Sequence, residues 1–417
     1  MKTRVTEMFG IDLPILAFSH CRDVVAAVSR AGGLGVLGAV GHSDSQLEID
    51  LDWIEDQIGD RPYGVDLIAP AKYTGSDGGG ARVQDLVGMI PDEHRTFVER
   101  LLNEFDVPEL PDGVRGERGL ASHGDAAPLT AERAAPQLEI SLAHRPSLIV
   151  NALGPPPAHM LERSHEEGRL VGALAGKAQH AERHVAAGVD LVIAQGSEAG
   201  GHTGEIGTMV LIPEIVDAIG DRVPVLGAGG IGRGRQMAAA MALGAEGVWC
   251  GSVWLTTEEA ETHPTVKEKF LAATSSDTIR SRSRTGKPAR QLRTAWTDAW
   301  EDPSNPAPLP MPLQPMLVDD AIRRIDRAAH NADSGAAKLA NYFVGQVVGS
   351  MNESKSASRV VYEMIEEFIE STERLGSLLE DRPDHQVEHR IGWIRMRDLD
   401  LVEVETASGE HPGHDRR

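Results

Sequence analysis

The stretch Leu191-Val192-Ile193-Ala194-Gln195-Gly196-Ser197-Glu198-Ala199-Gly200-Gly201-His202 decides how the rest of the chain is read. Residues 191–194 are apolar without alternation, the pattern of a strand buried on both faces, as in a parallel sheet covered by helices. The run breaks into a polar, glycine-rich loop that ends on a histidine. Ligands of α/β proteins gather at the carboxyl ends of such strands. Gln195 and His202 are therefore candidates for chemistry, and Gly200 and Gly201 for close backbone approach.

Outward from this stretch the same strand-then-helix rhythm recurs. Residues 14–17, 35–40, 63–68, 148–150, 170–173, 191–194, 225–228 and 248–250 read as eight strands. Helical spacing lies between them, as in 22–31, where Val24, Val25 and Val28 precede a stop at Gly32-Gly33. Eight βα units with right-handed crossovers predict a TIM (βα)8 barrel of class α/β, with a doubly wound open sheet as the alternative. The expected plan is a barrel from 1–70 and 129–290, an inserted lid region at 71–128, a covering loop and C-terminal helical extension at 291–380, and a polar tail at 381–417.

The 71–128 segment is too long for an ordinary connection. It carries Gly78-Gly79-Gly80, a helical pattern at 94–105 and a stretch, 116–127, expected to be mobile. Its role, closure over the site or assembly, is open at this stage, as is a homodimer. Residues 296–315, dense in Trp and Pro, read as an irregular cover, with helices expected at 319–329, 334–348 and 358–379. His385, His389, His411 and His414 read as part of a solvated tail rather than as metal ligands.

The totals narrow the partners. With 417 residues the chain exceeds one ordinary core, and 41% hydrophobic with 25% charged residues is a globular composition. A net charge of −22 disfavours nucleic acid and anionic membrane surfaces. Two cysteines, Cys21 and Cys250, suggest neither a disulfide framework nor a zinc site. The N-terminus lacks a signal-like apolar run, and no stretch reaches the roughly 18 apolar residues of a membrane span. A cytoplasmic enzyme acting on a small molecule is the expectation.

Two glycine turns read together. Leu226-Gly227-Ala228-Gly229-Gly230-Ile231-Gly232 follows the seventh strand, and Cys250-Gly251-Ser252 follows the eighth. Loops at these two strand ends commonly form a phosphate site, because glycine-turn N–H groups and a helix N-terminus attract an anion. Gln195 lies on a neighbouring strand end, and its amide offers both a donor and an acceptor, which suits a flavin or a base. It could equally hydrogen-bond its own loop. His202 is either a base, acid or anion anchor, or a pin for its loop. Glu198 is expected to cap loop N–H groups.

The residues 195–202 resemble the signature of the nitronate monooxygenase (2-nitropropane dioxygenase) family. Further resemblance lies in Ser29-Arg30-Ala31-Gly32-Gly33-Leu34-Gly35, Gly64-Val65-Asp66-Leu67, the two glycine turns, Gly286-Lys287-Pro288-Ala289-Arg290 and Gly345-Gln346. It covers roughly 10–70 and 145–350, and the whole chain is similar to a mycobacterial-type long branch of that family. The resemblance implies an FMN-dependent oxidoreductase that takes alkyl nitronates and O2 to carbonyl compounds and nitrite. It implies flavin contacts from Ala17, Phe18, Ser19, Asp66, Gln195, Gly200, Gly201, Trp249, Cys250 and Gln346, and phosphate contacts from Gly229, Gly230, Gly251 and Ser252. His202 becomes the catalytic residue, no metal is implied, and His20, Lys287 and Arg290 become substrate candidates.

Three departures from the resemblance bear on the reaction. Phe18-Ser19-His20-Cys21 stands where Pro-Met is usual, and Trp249 replaces a common glutamine. Asp66 stands where an asparagine is usual; it lacks the amide donor, and a negative charge beside a flavin lowers its reduction potential. An NAD(P)H reductase of enoyl thioesters, CoA-linked substrates or quinones on the same fold is therefore the alternative.

Overall fold

The computed structural model describes residues 1–69, 83–111 and 131–380. The expected mobile stretch at 116–127, the glycine run at 78–80 and the tail with its four histidines lie outside the described residues. These divide into two units, of which the first runs from Met1 to Phe368. The second begins at Ile369 and contributes the last residues of the helix Ala357–Glu380, with Ile369, Leu375 and Leu378 exposed.

All eight predicted strands form, and they close on themselves. They are β1 (Ile15–Ser19), β2 (Leu34–Gly38), β3 (Tyr63–Leu67), β4 (Leu148–Asn151), β5 (Leu170–Ala175), β6 (Leu191–Gln195), β8 (Val225–Ala228) and β9 (Val248–Cys250). Each pairs in parallel with the next, and β9 returns to β1 with Leu16 opposite Trp249 and Ala17 opposite Cys250. Side chains fill the ring inside and helices cover it outside, so both faces of each strand are buried, which accounts for continuous apolar runs in place of alternating ones.

Alternation within each strand still sorts the side chains into two cores. Leu16, Leu34, Val36, Leu148, Val150, Leu191, Ile193, Leu226 and Trp249 fill the barrel interior. Ala17, Val192, Ala194, Val225, Val248 and Cys250 face the surrounding helices. The bottom of the barrel is sealed by the helix Arg4–Phe9, whose Val5 and Phe9 join the interior cluster. Its start is fixed by Thr3, which accepts from Thr6 N.

A third apolar cluster covers elements after the barrel. Phe270, Trp296, Trp300, Val318, Ile325 and Val344 pack with Phe97, Val98, Leu101 and Leu102 of the inserted helix Asp92–Glu104. The described part of the insertion is thus docked on the C-terminal elements. Buried Arg324 fastens it, donating to Glu99 at 3.0 Å, Val107 O at 3.2 Å and Pro108 O at 3.1 Å.

Three local expectations change. The irregular cover contains a helix, Ala295–Glu301, because Trp296 and Trp300 fall four apart on one buried face. The helix expected at 319–329 starts earlier, as Leu313–Ala328. The one expected at 334–348 breaks into Gly335–Leu339 and a short 3-10 turn, Gln346–Ser350, because the chain between them pairs with β11 (Ala289–Leu292) through Phe343 opposite Gln291. That strand belongs to a small antiparallel sheet with β10 (Thr278–Ser281) and β7 (Gly201–His202).

Candidate active site

The mouth of the barrel is set by the last inward-facing residue of each strand. Gln195 continues the inward row of Leu191 and Ile193. Phe18 and Trp249 stack beside each other, with ring centroids 6.0 Å apart and planes 24° apart. Gly38 makes room for two rings, since a Cβ there would lie 2.7 Å from the His20 ring and 2.8 Å from Phe18. The His20 ring is T-shaped to Phe18 at 5.1 Å, and its Nδ1 donates to Gly38 O at 2.8 Å. A carbonyl only accepts, so the proton sits on Nδ1 and the Nε2 lone pair stays available. Burial lowers the His20 pKa, leaving the ring neutral at pH 7.

Asp66 faces the same interior. It lies opposite Gly38 and Val150, is 3% exposed, and its Oδ1 has no hydrogen-bond partner among the described residues. Burial alone pushes its carboxyl well above the ordinary carboxylate range. That burial disfavours the negative charge expected at this position.

His202 is held by the small antiparallel sheet. It pairs with Ala289, while Gly201 pairs with Arg290. Its Nε2 lies 2.8 Å from Thr285 Oγ1. That hydroxyl already gives its proton to Lys287 O at 3.2 Å, so Nε2–H is the donor and Nδ1 carries the lone pair. Burial, with Lys287 as a second cause, pushes the histidine down to about 4. His202 is a neutral base at physiological pH.

The loop from Gln195 to His202 is fixed on several sides. Glu198 accepts from Thr208 N at 2.9 Å and from Thr208 Oγ1 at 2.9 Å, so it caps the start of the helix Thr208–Ile219, where capping of the loop's own N–H groups was expected. Arg290 Nε donates to Ser197 O at 2.9 Å and its other arm donates to Thr278 Oγ1 at 3.0 Å. Close approach at Gly200 is made by the chain itself: a Cβ there would sit 2.9 Å from Gly345 N. Gln346 N donates to Glu198 O at 2.9 Å.

The glycine turn after β8 has the open N–H groups an anion needs. Gly229 and Gly230 adopt φ of 100° and 69°. Neither N–H meets an acceptor among the described residues, whereas those of Gly232 and Arg233 are taken by Gln236. Gly229, Gly230 and Gln346 line one cavity of about 450 Å³. Ser252 Oγ accepts from Gly345 N at 2.8 Å, which leaves its own proton to give. A second cavity of about 290 Å³ joins Ser19 and His20 to Cys21, His263, Asp326 and Tyr342. A phosphorylated ring system fits this donor set: open N–H groups for the anion, an aromatic floor, and two polar side chains with hydrogen-bonding capacity toward a ring edge.

Two residues expected near a ligand offer it backbone only. The side chains of Ala17 and Cys250 face the outer helices, and burial pushes the Cys250 thiol up to about 12. Two residues that matter were not singled out. Thr285, which fixes the His202 tautomer, precedes the quoted Gly286-Lys287 motif, and Gly38 ends an apolar strand with no local mark of its role.

No helix among the described residues is long and apolar enough to cross a membrane. The family model for nitronate monooxygenase matches residues 2–367. A Mycobacterium tuberculosis protein named as a monooxygenase is 58% identical over 380 residues, 91% of this chain and 100% of that one. A Staphylococcus saprophyticus protein named as a nitronate monooxygenase is 30% identical over 364 residues, 83% of this chain and 92% of that one. The crystal structure of nitroalkane oxidase from Streptomyces ansochromogenes superposes with a TM-score of 0.72 at 26% identity, covering 89% of this chain and 99% of that one. The matched span contains the barrel, the glycine turns and His202, and the chain is an oxidoreductase that belongs to the nitronate monooxygenase family.

Proposed function

We propose that this protein is an FMN-dependent nitronate monooxygenase that converts alkyl nitronates with O2 to carbonyl compounds and nitrite. The observation that carries the reading is the placement of His202: a neutral base held by Thr285 on a sheet tied to the Gln195 loop. When bound, FMN supplies the redox chemistry, taking an electron from the substrate and passing it to oxygen.

The chain's own residues do the rest. The N–H groups of Gly229 and Gly230, with those of Gly251 and Ser252 and the Ser252 hydroxyl, would hold the phosphate. Phe18 and Trp249 provide an apolar floor that excludes water. Gln195 would orient the ring edge through its amide. His202 Nδ1 can take the proton from the α-carbon when a neutral nitroalkane is presented, and can hold that proton against a nitro oxygen.

The test is anaerobic addition of ethyl nitronate to FMN-loaded protein, followed by air. Bleaching of the flavin spectrum, then nitrite release, is the expected result. No response to nitronate, with bleaching by NADH or NADPH instead, would replace this reading with the reductase.

A further inference from the structure

The base has an aromatic neighbour from a distant part of the chain. Phe343 stands beside the His202 ring, with centroids 6.4 Å apart. The residue before it, Tyr342, lies 5.5 Å from Phe343, ring to ring. Tyr342 lines the cavity of about 290 Å³ that His20 and Trp254 also line. One ring thus faces the base and the next faces the cavity, so the pair forms a partition between the two spaces.

The backbone of this partition is pinned to β11. Leu292 N donates to Tyr342 O at 3.1 Å, and Phe343 bridges to Gln291. The rings are held by one side chain, Arg284. Its guanidinium carbon lies 5.6 Å from the Tyr342 ring centre and 5.4 Å from that of Phe343. Its Nη1 donates to Asn341 O and to Asn341 Oδ1, each at 2.7 Å. Asn341 Nδ2 donates on to Gln291 Oε1 at 3.0 Å. One cation therefore touches all three residues of 341–343.

Enclosing a guanidinium whose hydrogen bonds go to a neutral residue is costly. Burial lowers the Arg284 pKa, against the through-space pull of Asp326, Tyr342 and Asp319. What the position gives in return is a fixed arrangement. The cation is attracted to both ring faces, and two bonds to Asn341 hold that residue in one rotamer. Arg284 also directly precedes Thr285, which lies 2.8 Å from His202 Nε2, so base and partition hang on adjacent positions of the chain.

We propose that Arg284 is a positioning residue that holds Tyr342 and Phe343 as a partition between His202 and the cavity beside His20, and that this partition is specificity-determining, keeping the chains of larger alkyl nitronates from extending past the base into the cavity. The substrate half of this statement rests on the nitronate reading above.

Steady-state kinetics of the full chain, loaded with FMN, test it with ethyl nitronate and 1-hexyl nitronate. Arg284→Met keeps the stem and loses the cation. It should raise kcat/KM for hexyl relative to ethyl nitronate by about tenfold, chiefly through KM. Phe343→Leu should move the ratio the same way, whereas loss of a merely structural arginine would lower both substrates alike. Carbethoxylation by diethyl pyrocarbonate, assigned by peptide mass spectrometry, reads the partition without any nitronate. His202 should react about threefold faster in both variants, the scale of one lost cation–π contact, with exposed His159 as the reference. Should Arg284→Met not fold, Asn341→Ala, which removes the side chain that Arg284 holds, takes its place with the same expected result. An unchanged substrate ratio or an unchanged His202 rate would overturn the proposal. Wild-type protein that turns over neither nitronate would overturn the nitronate reading itself, while the modification rates still decide whether the partition exists.

Discussion

The imidazole of His202 and the hydroxyl of Thr285 meet at 2.8 Å across 83 residues of sequence. This contact fixes the His202 tautomer and makes Nδ1 the basic atom. Replacing His202 with Ala should lower kcat/KM by roughly 10²–10⁴ while FMN remains bound, the range for loss of a positioned acid–base group. Thr285→Val should lower kcat, because either ring nitrogen could then carry the proton. Full steady-state kinetics with unchanged flavin content checks both.

Acidity gives a second handle on the same residue. His202 lies below its ordinary value of 6.5, at about 4. Its lone pair is therefore kept across neutral pH and lost only as pH falls toward 4, so activity should show no histidine-like decline near 6.5. The unfolded chain takes up a proton at 6.5 that the fold resists, so this residue also costs stability as pH falls below 6.5. Lys287→Met removes a positive charge that disfavours protonation and should move the acid limb of kcat/KM upward, by less than burial holds it down. A pH–rate profile of both proteins decides this.

Arg290 acts by holding the loop of Gln195 and His202. Its bonds to Ser197 O and Thr278 Oγ1 need a branched donor, so Arg290→Lys should not rescue what Arg290→Ala loses. We expect both variants to lose at least tenfold in kcat/KM, equivalent to about 1.4 kcal/mol. Wild-type kinetics for Arg290→Lys would remove the guanidinium from this role.

Two adjacent glycines should answer differently to Ala. At Gly200 the new Cβ would lie 2.9 Å from Gly345 N and from Val344 C, a clash with backbone that costs about 1–3 kcal/mol. At Gly201 no atom lies within 4 Å, and only the left-handed conformation, φ 74°, is penalised, by about 1–2 kcal/mol. Urea denaturation should therefore rank Gly200→Ala at or below Gly201→Ala, and flavin retention should fall mainly in the former.

Asp66→Asn should change stability in a pH-dependent way. The folded carboxyl lies above its ordinary 3.8, so above that pH the unfolded chain releases a proton that the fold retains. Wild type loses stability on this account as pH rises, and the amide variant does not. The melting temperature of Asp66→Asn should gain on wild type between pH 4 and pH 7, and parallel curves would show the carboxyl to be ionised in the fold.

Much of this protein was determined by local pattern. The apolar runs at 191–194, 225–228 and 248–250 and the glycine turns behind them fix strands, their ends and hence the barrel, because a strand buried on both faces and a turn needing positive φ each leave a mark within a few residues. Glu198 was legible as a cap, but that its partner is the start of the helix Thr208–Ile219, ten residues on, was not. The tertiary structure alone decided the chemistry of the site. The Asp66 carboxyl is pushed up because the fold buries it, His202 has one basic nitrogen because Thr285 and Lys287 fold back to it, and Gly200 is small because Gly345 passes over it. Protonation and close approach depend on what surrounds a group in space, and those neighbours come from residues up to 145 positions away, 345 less 200, beyond the reach of any periodicity.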